Sequence, residues 1–264
     1  MIRGLLSDVH GVLYVYPDAL PGSVAAVQRL TEAGFPHLFI TNSSLHPKSW
    51  ILGSLREAGF TVASEHVLTA VEAAGDHLIE RGYRRVGWLC AASLIEDVPG
   101  VEAVFPGGRH PGPVDVVLVG DLGPGFTYEV LNQAFRWLHE GARLVAVARN
   151  RYYETGKGLV LDSGPFVRLL EYAGETEAWV VGKPSPAFFQ AALRRLGFSP
   201  EDVVMVGDDL EADVLPAMEL GLHGVLVRTG KFREHRYKAG EHRPDRLVAN
   251  LGEAVEWILS RGRG

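Results

Sequence analysis

The strongest constraint on the fold is the alternation of short apolar runs with longer amphipathic stretches. Ile2 to Leu6 and His37 to Thr41 have the length and composition of buried strands, and residues 21–33 between them carry apolar side chains at helical spacing. A helix is predicted to begin at Pro21 and to end before Gly34. Strands that alternate with helices in this way predict a parallel sheet with helices on both faces, a doubly wound α/β fold.

The same alternation returns near the C-terminus, after a middle segment with its own pattern. Late strands are predicted at 179–181, 203–206 and 225–227, with helices at 186–196, 211–220 and 251–259. The middle segment contains predicted strands at 86–90, 114–119 and 144–148 and a helix at 128–140. We therefore expect a core domain formed by residues 1–77 and 179–264, with a second α/β domain inserted at residues 78–178.

Composition limits the classes of protein to which the chain can belong. A chain of 264 residues, 47% of them hydrophobic, can bury a substantial core. The net charge of −6 argues against nucleic acid as a partner, and a local basic group, Arg149, Arg151 and Lys157, is expected to be a solvated loop. The single cysteine, Cys90, cannot form an intrachain disulfide.

No feature of the sequence directs the chain to a membrane. No apolar run approaches the ~20 residues needed to cross a bilayer, and the N-terminus lacks the form of a signal peptide. We therefore expect a soluble cytoplasmic protein with no membrane partner.

Polar residues follow four of the predicted strands of the core. In an open parallel sheet, ligands bind at the carboxyl ends of the strands, so these residues are expected to lie together. They are Asp8, the run Thr41-Asn42-Ser43, Lys183, and the pair Asp208-Asp209. Two carboxylates can hold one hard cation, while a lysine and a hydroxyl can hold phosphoryl oxygens, so the set is typical of a phosphate site.

The same residues carry a resemblance to a known family. Their order and strand context resemble the four signature motifs of the haloacid dehalogenase superfamily, which has a Rossmann-like core. The matching segments are Asp8-Val9-His10-Gly11-Val12, Thr41-Asn42, Lys183-Pro184, and Gly207-Asp208-Asp209 with Asp213.

The position of the inserted domain indicates which branch of the superfamily the sequence resembles. Only about ten residues separate Gly11 from Pro21, too few for a cap domain, whereas the segment between the second and third motifs has ample room. This arrangement resembles the NagD-like branch, which has a C2-type cap. Two further segments, 151–165 and Arg228-Thr229-Gly230-Lys231-Phe232-Arg233, resemble the phospholysine phosphohistidine inorganic pyrophosphate phosphatase subgroup.

The resemblance implies a Mg²⁺-dependent phosphatase. Asp8 would be the nucleophile that forms an aspartyl phosphate, and Asp208 would bind the metal ion together with Asp8 and the backbone carbonyl of His10. Lys183 would neutralise the nucleophile and the phosphoryl charge. Asp209 and Asp213 would support the site, and Thr41, Asn42 and Ser43 would bind the phosphoryl group of the substrate.

His10 is where the sequence departs from the family. Most phosphatases of the superfamily carry an aspartate at this position, where it protonates the leaving group and then activates water. Two interpretations stay open. In the first, imidazole, with an unperturbed pKa of ~6.5, serves as the general acid and base. In the second, histidine is a poor substitute for aspartate, and the aspartyl phosphate is hydrolysed slowly.

The inserted domain is expected to act as a lid that determines specificity. Arg151, Tyr152, Tyr153 and Asp162 are its candidate specificity residues. The expected substrate is a small phosphorylated metabolite, pyrophosphate or a phosphoramidate, and the cap type implies that the chain can pair as a homodimer. Two alternatives are a binding or regulatory protein that lost turnover through His10, and dehalogenation or phosphonate cleavage on the same scaffold.

Overall fold

The computed structural model describes residues 1–107, 111–155, 158–239 and 242–261, with only the backbone described at 154, 155, 236 and 239. The chain divides into two compact units. The first unit comprises Met1–Thr41, Lys48–Leu68 and Lys183–Gly264, and the second comprises Asn42–Pro47 and Thr69–Gly182. Both units contain a parallel sheet and helices, so the predicted α/β fold class is confirmed.

The strands and helices are numbered in chain order. The strands are β1 (Gly4–Asp8), β2 (Tyr14–Val15), β3 (Asp18–Ala19), β4 (His37–Thr41), β5 (Val67–Thr69), β6 (Arg85–Leu89), β7 (Glu102–Val104), β8 (Val116–Val119), β9 (Arg143–Ala146), β10 (Tyr152–Thr155), β11 (Gly158–Leu161), β12 (Trp179–Val180), β13 (Val203–Gly207), β14 (His223–Val227) and β15 (Arg246–Val248). The α-helices are α1 (Ser23–Glu32), α2 (Lys48–Glu57), α3 (Ala70–Glu80), α4 (Tyr128–His139), α5 (Gly164–Ala173), α6 (Pro186–Leu196), α7 (Leu215–Glu219), α8 (Glu234–Ala239) and α9 (Leu251–Arg261).

The sheet of the first unit has the strand order β15-β14-β13-β1-β4-β5. Strand β1 pairs in parallel with β4 and β13, and β14 pairs in parallel with β13 and β15. Because parallel strands end at the same edge of a sheet, the carboxyl ends of β1, β4 and β13 lie side by side. The sheet therefore brings the residues that follow Leu6, Ile40 and Val206 to one edge.

The core of the first unit explains why its helices form where the apolar spacing predicts them. Helix α1 buries Ala26, Val27 and Leu30, which share one face of the helix. These side chains join a cluster with Leu5 of β1 and Ile258 of α9. Strands β1, β4 and β13 of this sheet are buried along their length, as expected for a parallel sheet covered on both faces.

One helix of the first unit differs from its prediction. The sequence predicts a continuous helix over residues 211–220, but the chain forms a π-helical turn at Leu210–Val214 and then the short helix α7. Pro216 has no N–H to donate to the carbonyl four residues earlier, so regular α-helical bonding is broken at this point. Asp213 lies in the π-helical turn.

The second unit has its own five-stranded parallel sheet, with the order β12-β9-β8-β6-β7. Its core cluster includes Leu89, Val117 and Trp137, with Trp137 on the buried face of α4. A Cβ atom at Gly87 would lie 2.7 Å from the Trp137 ring, so glycine at 87 allows the helix to approach the sheet closely. Strands β10 and β11 form a separate antiparallel hairpin in the same unit.

The boundaries of the two compact units differ from the predicted domain boundaries, which lie between residues 77 and 78 and between residues 178 and 179. The second unit begins at Thr69 and ends at Gly182, and it also includes Asn42–Pro47. The later end has a clear cause, because β12 pairs with β9 of the second sheet rather than with a strand of the first.

Three smaller predictions concern the surface and the single cysteine. Cys90 is buried, and burial raises the pKa of its thiol. Arg149 forms an ion pair with Glu171, while Lys157, the third member of the basic group, lies outside the described residues. In the described part of the chain, no helix combines the length and the apolar character that a membrane span requires.

Candidate active site

Asp8 is the last residue of β1, and it is almost fully buried at the carboxyl edge of the first sheet. Lys183 lies beside it, with 2.5 Å between the lysine Nζ and Asp8 Oδ1. The same ammonium group is 2.8 Å from Asp213 Oδ1, and it donates a longer hydrogen bond of 3.4 Å to the carbonyl of Ile40. Lys183 therefore joins the ends of β1 and β4 to the turn that carries Asp213.

The charge of Lys183 is stabilised although only 3% of the residue is exposed. Burial alone would lower the pKa of this lysine, but the carboxylates of Asp213 and Asp8 outweigh burial and raise the pKa above its ordinary value. The lysine is therefore a fixed positive charge against the Asp8 carboxylate.

Asp208 follows β13 and is 2% exposed. Its Oδ2 accepts a hydrogen bond of 2.7 Å from the backbone N–H of Lys231. Its Oδ1 is buried and has no hydrogen-bond partner among the described residues. Burial raises the pKa of Asp208, and the carboxylates of Asp8 and Asp213 raise it further. A buried acceptor oxygen without a partner is costly in a folded protein, and a bound cation would remove that cost.

Three carboxylates converge at this edge of the sheet. One oxygen from each of Asp8, Asp208 and Asp213 lies within 4.8 Å of the other two, and all three residues are buried. Clustered carboxylate oxygens are the donors that a hard divalent cation such as Mg²⁺ prefers. The residues present therefore fit a metal ion of the kind that the family motifs imply.

Asp209 and Asp213 have different surroundings although both follow β13. Asp209 is the N-cap of the π-helical turn, where its Oδ1 accepts hydrogen bonds from the N–H groups of Glu211 and Ala212. Asp213 is buried against Lys183, and burial raises its pKa while the lysine lowers it. In this geometry Asp209 holds the backbone of the turn and Asp213 holds the lysine.

His10 lies on the loop after β1, two residues beyond Asp8. The residue is exposed, and its ring lies 6.0 Å from that of Tyr14. The protein atoms around the imidazole desolvate it and lower the pKa of His10, an effect that Asp8 opposes and Lys231 reinforces. The histidine is thus placed near the carboxylates, with part of its surface open to solvent.

The run Thr41-Asn42-Ser43 is divided between the units. Thr41 is the buried last residue of β4 in the first unit, whereas Asn42 and Ser43 belong to the second. A Cβ atom at Gly182 would lie 2.6 Å from Asn42 Oδ1, so glycine at 182 leaves room for that amide. Thr41 therefore lies at the carboxyl edge of the first sheet, whereas Asn42 and Ser43 belong to the second unit.

The specificity candidates of the second unit lie on and beside the β10–β11 hairpin. Tyr152 is on β10 and is 46% exposed, with Arg151 exposed just before it. Asp162 follows β11, and its Oδ1 accepts a hydrogen bond of 2.6 Å from the N–H of Ser163. Asp121 is a further buried acidic residue of the second unit that the sequence did not indicate. Burial raises the pKa of Asp121, and the carboxylate of Asp162 raises it further.

The segment after β14 contributes contacts whose role the sequence did not reveal. Thr229 donates a hydrogen bond of 2.6 Å to the carbonyl of Gly11, and Lys231 contacts Asp208 through its backbone. The sequence had marked this segment only through a family resemblance. The rule that ligands bind at the carboxyl ends of strands would have included it, because β14 ends at Val227 beside β13.

The sequence is similar to those of known proteins. Residues 5–102 match the family model described as haloacid dehalogenase-like hydrolase, and residues 180–254 match one described as HAD-hydrolase-like. The human haloacid dehalogenase-like hydrolase domain-containing protein 2 is 39% identical, with coverage of 98% of this chain and 96% of the relative. The bovine phospholysine phosphohistidine inorganic pyrophosphate phosphatase is also 39% identical, with coverage of 98% and 94%.

Solved structures show the same architecture. The p-nitrophenyl phosphatase from Archaeoglobus fulgidus superposes with a TM-score of 0.88 at 26% identity, covering 97% of this chain and 99% of that one. A glycerol phosphate phosphatase from Mycobacterium tuberculosis, solved in complex with magnesium, gives 0.84 at 27% identity over 96% and 76%. NagD from Escherichia coli gives 0.85 at 24% identity over 96% and 98%, a likeness in fold alone.

The chain belongs to the haloacid dehalogenase-like hydrolase family. It is an enzyme of the phosphatase class within that family, as the sequence predicts. The predicted likeness to the phospholysine phosphohistidine inorganic pyrophosphate phosphatase subgroup is confirmed, and the likeness to NagD is one of fold.

Proposed function

We propose that the chain is a Mg²⁺-dependent phosphatase that acts on a small phosphorylated compound through an aspartyl phosphate at Asp8. One observation carries the proposal. Asp8 is held at the end of β1 by Lys183, the buried Asp208 lies in the same group of carboxylates, and its Oδ1 has no hydrogen-bond partner among the described residues. Asp8 and Asp208, with the backbone carbonyl of His10, would hold the metal ion, which when bound would supply positive charge against the phosphoryl oxygens.

The first chemical step is assigned to Asp8. One oxygen of its carboxylate attacks phosphorus, the bond to the leaving group breaks, and the leaving group takes a proton from His10. Lys183 contacts Asp8 Oδ1, so we assign the attack to Oδ2. The Thr41 hydroxyl and the residues Asn42 and Ser43 would donate hydrogen bonds to phosphoryl oxygens during this step.

The second step returns the enzyme to its starting state. His10 takes a proton from water, the hydroxide oxygen attacks phosphorus, and the bond from phosphorus to the Asp8 oxygen breaks. Phosphate leaves and Asp8 is a carboxylate again. Asp213 holds Lys183 through both steps and is a positioning residue.

The role of His10 has a direct test in the rate of the second step. General acid–base groups contribute ~10²–10⁴-fold, so His10→Ala should slow turnover by that factor, and His10→Asp should restore much of it. Quenched-flow measurement of p-nitrophenol release from p-nitrophenyl phosphate should show a burst in His10→Ala if hydrolysis of the aspartyl phosphate has become limiting. Unchanged turnover and an unchanged pH profile in His10→Ala would exclude the acid/base role.

The names of the relatives guide the choice of substrates to test. The bovine relative is named for phospholysine, phosphohistidine and inorganic pyrophosphate, so phosphorus–nitrogen bonds and pyrophosphate belong in the panel beside sugar phosphates, nucleotides and pyridoxal phosphate. We assign specificity to the second unit, with Arg151, Tyr152 and Asp162 as its candidate residues. Alanine at these positions should change KM across the panel more than kcat.

The proposal as a whole is tested by phosphate release from p-nitrophenyl phosphate. We expect release that depends on Mg²⁺, is abolished by EDTA and is lost in Asp8→Asn. Asp76→Asn, which changes an exposed aspartate on α3, is the matched control and should leave activity unchanged. Phosphate release by Asp8→Asn at the wild-type rate would rule out the nucleophile.

A binding or regulatory protein that lost turnover through His10 is the second candidate function. One observation favours it: position 10 is a histidine, whereas most phosphatases of the superfamily carry an aspartate there. It would be established if the purified protein released no phosphate from the panel with Mg²⁺ while phosphorylated ligands still raised its melting temperature.

A further inference from the structure

The segment after β14 makes one hydrogen bond to the loop after β1 and one to the Asp208 carboxylate. The hydroxyl of Thr229 donates to the carbonyl of Gly11, at 2.6 Å, in the loop that begins with Asp8. The backbone N–H of Lys231 donates to Asp208 Oδ2, at 2.7 Å. Residues 229–231 therefore connect the loop after β1 to the carboxylate at the end of β13.

Two glycines form a narrow slot around the Asp208 carboxylate. A Cβ atom at Gly230 would lie 1.9 Å from Asp208 Oδ2 and 2.7 Å from Gly11 Cα. A Cβ atom at Gly11 would lie 2.1 Å from the same oxygen. Gly11 has a φ of +90° and Gly230 a φ of +55°, which are conformations that favour glycine. Both positions thus require glycine for space as well as for backbone conformation.

These contacts give the two oxygens of Asp208 different hydrogen-bonding environments. Oδ2 is held by the Lys231 N–H within the glycine slot, and a carboxylate with one oxygen held cannot turn freely about its terminal torsion. Oδ1 is buried and has no hydrogen-bond partner among the residues that the structure describes. One oxygen of Asp208 lies within 4.8 Å of an oxygen of Asp8 and an oxygen of Asp213, and Oδ1 is the oxygen that the Lys231 N–H does not hold.

We infer that residues 229–231 form a latch that positions Asp208 Oδ1 and the loop after Asp8 for the divalent cation, with Thr229 as its positioning residue. This inference rests on the proposed function, since it assumes that a cation binds there. Residues that orient metal ligands in this way commonly change metal affinity by 10–100-fold when they are removed.

The side chain of Lys231 also contacts an acidic residue of the site. Its Nζ lies 3.7 Å from Asp209 Oδ2. Lys231 therefore contacts Asp208 through its backbone N–H and Asp209 through its ammonium group.

The test distinguishes the effect of the Thr229 hydroxyl from the effect of the shape of the Thr229 side chain. Thr229→Val keeps the shape and removes the donor, while Thr229→Ser keeps the donor. We expect Thr229→Val to weaken Mg²⁺ binding by about tenfold or more, and Thr229→Ser to bind Mg²⁺ within about threefold of the wild type. Isothermal titration with MgCl₂ alone gives the affinity, and melting curves without metal show whether each variant is folded. Thr61→Val, an exposed threonine, is the matched control.

A second variant keeps the inference falsifiable if Thr229→Val does not fold. Gly230→Ala places a methyl group in the slot of Asp208 Oδ2 and should also weaken Mg²⁺ binding by about tenfold or more. Wild-type affinity in either folded variant would overturn the latch while leaving the proposed function intact. Absence of Mg²⁺ binding in the wild type would instead overturn the proposed function, and the latch with it.

Discussion

At the scale of single residues, Lys183 has the largest structural consequence. It is buried between Asp8 and Asp213, and these carboxylates have little water to compensate the loss of its charge. Removal of one partner from a buried charge group typically costs about 3–5 kcal/mol. Under the proposed function, stability and catalysis depend on the same lysine.

Lys183→Met should lower the free energy of unfolding by about 3–5 kcal/mol at pH 7, because it leaves buried carboxylates without their counter-charge. Urea unfolding of the metal-free protein measures the change. Lys238→Met is the control, since Lys238 is exposed on α8, and it should change stability by less than about 0.5 kcal/mol. Equal stability of Lys183→Met and the wild type would show that the buried ion pairs do not support the fold.

The strand-end residues could be predicted because a parallel sheet collects the residues that follow its strands at one edge. Asp8 and Asp208 therefore lie close together despite their separation in sequence. Lys183 follows β12 of the second sheet, so this rule does not account for its ion pair with Asp8. The hydrogen bonds at each carboxylate oxygen could not be predicted. The bond between Thr229 and Gly11 joins residues 218 positions apart, and no local pattern encodes such a contact.

At the scale of elements, the turn after β13 shows how one segment combines capping with the site. Asp209 caps the π-helical turn, and Asp213 within that turn holds Lys183. The apolar spacing of residues 211–220 predicts a helix and gives its approximate place. Its interruption depends on the missing N–H of Pro216, which the spacing does not reveal.

Asp209→Ala should lower the free energy of unfolding by about 1 kcal/mol, because the N–H groups of Glu211 and Ala212 lose their acceptor. Asp209→Asn keeps an acceptor oxygen and should lose much less. Urea unfolding without metal compares the two variants. If both variants lost the same stability, the charge of Asp209 rather than its cap would be responsible.

The strands of the second unit show a limit of prediction at this scale. Strand β12 follows helix α5 and precedes Lys183, so its position along the chain fits either sheet. Pairing with β9 assigns it to the second unit, and pairing is a property of register rather than of composition. The hairpin of β10 and β11 was likewise not predicted, because its exposed apolar residues lack the alternation of a half-buried strand.

At the scale of the whole molecule, each unit has its own core and its own buried ion pairs. In the second unit Glu171 is buried and accepts hydrogen bonds from Arg149, Arg168 and the N–H of Ala178. Burial raises the pKa of Glu171, but the Ala178 N–H and the two guanidinium groups outweigh burial, so the pKa lies below its ordinary value. A carboxylate with a lowered pKa stabilises the fold above its ordinary pKa, and this stability is lost as the pH falls.

Glu171→Gln should therefore destabilise the second unit at neutral pH, by about 1–3 kcal/mol for hydrogen bonds to a charged group. The difference from the wild type should shrink as the pH falls below about 4.5, where the unfolded carboxyl becomes protonated. Melting temperatures of both proteins from pH 7 to pH 3.5 measure this, with the exposed Glu177→Gln as control. A difference that does not change with pH would show that the charge of Glu171 is unimportant.

The most direct test of the account is chemical trapping of the aspartyl phosphate. The protein is mixed with Mg²⁺ and p-nitrophenyl phosphate, quenched with acid and reduced with borohydride, which converts an aspartyl phosphate to homoserine. Peptide mass spectrometry should find homoserine at position 8 in the wild type, and none without Mg²⁺ or in Asp8→Asn. Phosphate release without modification of position 8, or a modification at another residue, would contradict the account.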